Sequence, residues 1–208
     1  MTFASIASGT TIGAAALAIG ALAALHVLRP DIPPSRTMIS QYALGRHGWV
    51  MALCFGAFAA ASACVLAALV QYPLSLLGRI GLAFLLVAAI GLAMASRFPM
   101  DAVSTPRERR SFSGRMHAVS FVMGVPAQIL AVLLLSLGLG SSRAQLPLFG
   151  LAATVWLSLA ATITIMVMVG PGKQPDPNGP ERFLGLPNRL FMVAYGAWLI
   201  VVVWPMAR

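Results

Sequence analysis

Six apolar runs, each close to the roughly 20 residues a helix needs to cross a bilayer, constrain this chain more than any other feature. They fall at about 10–28, 47–70, 78–97, 115–139, 147–170 and 187–206. In lipid, a segment of that length and polarity satisfies its backbone only as a helix. The runs therefore predict an all-α integral membrane protein with six transmembrane helices. Composition agrees, with 59% hydrophobic and 9% charged residues against roughly 25% charged in an average soluble domain. So little charge cannot coat a water-exposed surface. The connections leave no room for a soluble domain, so residues 1–208 read as one transmembrane domain. The run from Ile12 to Leu28 has no basic segment before it and leads into patterned sequence. That favours an uncleaved first helix over a secretory signal.

Two connections are short (71–77 and 140–146), and three are longer and polar (29–46, 98–114 and 171–186). Alternation of short and long suggests a repeat. The odd helices open with Ile12-Gly13, Ile80-Gly81 and Phe149-Gly150, and the aspartates of the chain, Asp31, Asp101 and Asp176, fall one to each long loop. Even helices begin with Leu44-Gly-Arg-His47, Ser113-Gly-Arg-Met-His117 and Leu184-Gly-Leu-Pro-Asn-Arg189, followed later by Gly56, Gly124 and Gly196. This spacing predicts three similar helical hairpins, 10–70, 78–139 and 147–206, in the same orientation and related by an axis along the membrane normal.

Because each long loop follows an odd helix, all three lie on one side of the membrane. That side holds every acidic residue, all three histidines and 11 of the 14 basic residues; Arg79, Arg143 and Arg208 lie opposite. By the positive-inside rule the long loops are cytoplasmic and both termini periplasmic, in the inner membrane of a bacterial cell. A net charge of +9 in a soluble protein would point to nucleic acid. Here the arginines sit in short loops beside apolar runs, which makes membrane lipids the expected partner and argues against nucleic acid.

Within each long loop an aspartate precedes a glycine-led helix start bearing arginine. Helix N-termini favour anions, so three such starts converging on an axis would form a basic pocket rimmed by carboxylates. Asp101, Arg115 and His117 form the expected centre, with Asp31, Arg46, His47, Asp176 and Arg189 around it. The bland reading is that each aspartate pairs with a neighbouring arginine and pins its loop. On the face of the helix that carries His117, Gly124 and Gln128 follow at i+7 and i+11, and an amide in mid-span needs a partner or a wet cavity. A second class is haem or metal binding, since His26, His47 and His117 fall at similar depth; a third is an accessory subunit without a ligand. Cofactors are unknown from sequence, and no metal site is assigned. Cys54 and Cys64 are ten residues apart in one run, about 15 Å along a helix, too far for a disulfide. Phosphate-binding, dinucleotide and hydrolase motifs are absent.

Arg29-Pro-Asp31 with Ile39-Ser40, then Phe98-Pro-Met-Asp101 with Gly114-Arg-Met-His117, then Gly185-Leu-Pro-Asn-Arg189, together resemble domain of unknown function 998. That is a family of six-helix bacterial and archaeal membrane proteins. The resemblance extends over nearly the whole chain and departs from the family pattern at Gln41-Tyr42. It implies the six-helix fold and assigns no activity.

Overall fold

Helix boundaries follow from local hydrogen bonding. In the computed structural model, which describes residues 2–139, 145–169 and 178–207, the long helices are α1 (Phe3–Leu28), α2 (Gly48–Leu69), α3 (Leu76–Arg97), α4 (Phe112–Gly138), α5 (Gln145–Val169) and α6 (Gly185–Val203). At 19 to 27 residues they run roughly 28–41 Å, enough for a hydrocarbon layer of about 30 Å. Hydroxyls cap three starts: Thr2 accepts from the Ser5 amide, Ser75 from Gly78 and Ser111 from Gly114. α1 begins at Phe3 instead of about residue 10 because its polar opening satisfies itself. The Thr10 and Thr11 hydroxyls donate to the carbonyls of Ile6 and Ala7, so they lie in the helix without needing water.

All six are apolar enough to cross a membrane, and among the described residues there is no strand. They form three hairpins closed into a ring: α1 on α2, α2 on α3, α3 on α4, α4 on α5, α5 on α6, and α6 back on α1. α6 also touches α2 and α4, so the even helices take the middle. Two buried polar ties fasten that centre. Ser62 gives its proton to the Phe58 carbonyl and accepts from Tyr195 Oη at 2.7 Å. Ser136 gives its proton to the Val132 carbonyl and accepts from Trp198 Nε1 at 3.0 Å. Lipid offers no competing water, and such ties hold helices that apolar packing alone would not select.

The α3–α4 pair is packed backbone to backbone. A Cβ on Gly138 would run into Gly78, and one on Gly91 would lie 2.7 Å from Gly124 Cα. These two glycine crossings let the helices approach closely along their whole length. α5 is the least buried of the six.

Candidate functional site

On the long-loop side, the loop between α1 and α2 is seated on the start of α6. Gly185 donates its amide to the Ser35 carbonyl at 2.7 Å, and a Cβ there would sit 2.6 Å from the Thr37 carbonyl, so this approach requires glycine. Asn188 Oδ1 accepts from the Ile39 amide at 2.9 Å. One turn in, Arg189 is 9% exposed. It donates from Nη1 to the carbonyls of Thr37 (2.7 Å) and Gly185 (3.0 Å), from Nη2 to Tyr42 Oη (3.1 Å) and from Nε to His26 Nε2 (2.8 Å). A guanidinium only donates, so His26 Nε2 is an acceptor and its proton rests on Nδ1, which donates to the Leu22 carbonyl at 2.8 Å. Both ring nitrogens of His26 are thereby occupied.

Arg29 organises the other end of this loop. It pairs with Asp31 at 2.8 Å and donates to the carbonyls of Leu44 and Arg46. The hydrogen bond from Arg29 holds the Asp31 carboxyl below the ordinary carboxylate value. The chain then turns through two left-handed residues, Gly45 and His47, into α2. The Arg46 side chain is exposed.

At the start of α4, Asp101 accepts from the Ser111 amide (2.8 Å) and hydroxyl (2.7 Å). A Cβ on Gly114 would strike its carboxylate. His117 donates from Nδ1 to the Phe98 carbonyl at 2.9 Å, which leaves Nε2 as an acceptor. Arg115 points elsewhere: it is exposed and donates to the Arg110 carbonyl at 3.3 Å.

Two hollows open near these contacts. A groove of about 280 Å³ lies between the α2 start and the α3 end, lined by Gly45, Gly48, Trp49, Ser96 and Pro99 among others. A second hollow, of about 70 Å³, is lined by the first loop and by α2 to α6. Its walls carry Phe55, Phe121, Phe191 and Met192, and its polar lining comes from Ser40, His117, Ser120, Gln128, Thr162 and Asn188. Gly91 and Gly124, which meet backbone to backbone, also line it. Gln128 is 2% exposed, and its amide makes no hydrogen bond with any described residue.

Against known proteins, residues 12–205 match the model of a protein family of unknown function, DUF998. The chain belongs to the DUF998 family. No curated protein and no solved structure matches it.

The expected centre of this DUF998 protein is divided. Asp101 and Arg115 do not share a pocket with His117: Asp101 lies in the loop before α4, and the two residues from Arg115 to His117 turn the side chain by about 200°. His117 faces the cavity while Asp101 caps α4 and Arg115 faces outward. Asp31 pairs with Arg29 instead of Arg46. His47 sits in the turn before α2, half-buried, and Arg189 is committed to the first loop. Asp176 lies outside the described residues. Sequence reasoning missed Arg29, Tyr42 and Asn188 as organisers; Tyr42 stood in plain view as part of the departure from the family pattern. Among the described residues no three His, Cys, Asp or Glu side chains gather as a metal site.

Proposed function

We propose that this DUF998 protein is a multi-pass protein of the bacterial inner membrane that binds an anionic lipid headgroup or lipid-linked phosphate at its long-loop interface. The carrying observation is the 280 Å³ groove. Arg46 adjoins its Gly45–Gly48 wall and Arg97 its Ser96–Pro99 wall, both arginines exposed. Trp49, 68% exposed at the groove, is the kind of residue that settles at headgroup level. Arg107, Arg109 and Arg110, all exposed, extend the basic surface, and their side chains make no hydrogen bond or ion pair with a described residue. Haem ligation is disfavoured at His26, whose ring nitrogens are both engaged.

An arginine close to an anionic surface contributes about 1 kcal/mol, so replacing two costs about 2 kcal/mol, roughly 30-fold in lipid retention. The test is native mass spectrometry of the purified protein in detergent with phosphatidylglycerol or phosphatidylcholine. Phosphatidylglycerol should be retained preferentially, and Arg46→Gln with Arg97→Gln should abolish the preference. Equal retention of both lipids by the unmodified protein would refute the proposal.

A further inference from the structure

The interior cavity raises a separate question, because the arginine groove does not use it. Gln128 lies in mid-span with its amide unpartnered, and it lines the cavity. No charged side chain lines it. Ser120 has already donated to the His117 carbonyl and Thr162 to the Ser158 carbonyl, so both offer lone pairs only. His117 Nε2 is likewise an acceptor. An ion placed here would lose its hydration without gaining a counter-charge. The chemistry suits a neutral group that both donates and accepts, which is what a hydroxyl does.

The way in is lateral. Phe121 lines the cavity and is also 40% exposed, and its helix meets the poorly buried α5 across the loosest seam between neighbouring helices in the ring. Leu159 of α5 lines the same space. A volume of about 70 Å³ has room for a few waters. That admits a small head and leaves any long tail outside.

We propose that this cavity holds the hydroxyl head of a neutral membrane lipophile, with the Gln128 amide accepting from and donating to the hydroxyl and the tail leaving between α4 and α5 past Phe121 and Leu159. The site is independent of the headgroup groove, and either reading can fail alone.

The probe is hexadecanol carrying a mid-chain diazirine, compared with its methyl ether, photolysed with the full-length protein in detergent and mapped by peptide mass spectrometry. Labelling by the alcohol should concentrate on peptides holding Phe121 and Leu159 and be displaced by unlabelled hexadecanol. The ether, which cannot donate, should label there about fivefold less, as expected for one lost hydrogen bond. Gln128→Met should cause a similar drop, and Thr162→Leu, which fills the cavity and keeps the Gln128 side chain in place, should abolish labelling. If Gln128→Met does not fold, Thr162→Leu and the ether comparison decide. Equal labelling by alcohol and ether, or full labelling of Thr162→Leu, would mean that the cavity holds water alone and would overturn the proposal.

Discussion

Arg189→Met, set beside Arg189→Lys, probes the best-connected charge in the molecule. Methionine keeps most of the apolar length and removes every donor, so the Thr37 carbonyl, Tyr42 Oη and His26 Nε2 lose the partner they hold at 2.7 to 3.1 Å. The three of its four hydrogen bonds that reach outside α6 are worth about 1.5–3 kcal/mol each. Against that sum, removing the buried guanidinium returns several kcal/mol of desolvation. The net expected loss is about 2–4 kcal/mol. Lysine retains the charge and its desolvation, yet a point ammonium cannot serve three acceptors spread around a planar fork. Arg189→Lys should therefore be no more stable than Arg189→Met, which inverts the usual ranking of a conservative change. Unfolding in SDS, followed by tryptophan fluorescence, measures both. Amide exchange should rise across residues 29–46 in each variant, where the loop is no longer tied down. Near-native stability of the lysine variant, or a loss under about 1 kcal/mol for methionine, would refute the reasoning.

Three further outcomes are expected. Asp101→Ala removes the acceptor of the Ser111 amide and hydroxyl and should cost about 0.5–2 kcal/mol, with faster amide exchange confined to the first turn of α4. Gly138→Val forces side-chain atoms onto Gly78 and should cost about 1–3 kcal/mol, read as a lower midpoint of SDS unfolding. With 11 of 14 basic residues on the long-loop side, a reporter fused after Ala207 should be active only when exported; activity confined to the cytoplasm would reverse the orientation.

Run length and polarity were enough to read the number of helices and their pairing into hairpins, because lipid leaves the backbone one choice over such a stretch. The start of α1 was not legible, since Thr10 and Thr11 look like loop residues until their back-bonds are seen. The aligned glycines misled in detail. Gly45 supplies a left-handed turn, Gly114 admits the Asp101 carboxylate and Gly185 admits the first loop; one column serves three physical needs. Gln128 was readable as a mid-span amide requiring company. The partners of Arg189 were not, because His26 and Tyr42 lie 163 and 147 positions away along the chain. Only the closure of the ring between α1 and α6 brings them together. Arg115 and His117, whose neighbourhood in sequence had suggested a shared task, are parted by the turn of α4 itself.

That closure also imposes an order of manufacture. The first loop emerges from the ribosome early, but Gly185, Asn188 and Arg189, which hold it, are made about 150 residues later. At roughly 5–20 residues per second, the delay is on the order of ten seconds. Through that interval the carbonyls of Ser35 and Thr37 and the imidazole of His26 must be served by water, lipid headgroups or insertion machinery. A nascent chain stopped before α6 would have five apolar helices and an unfinished loop, giving a quality-control protease a surface that the finished molecule conceals.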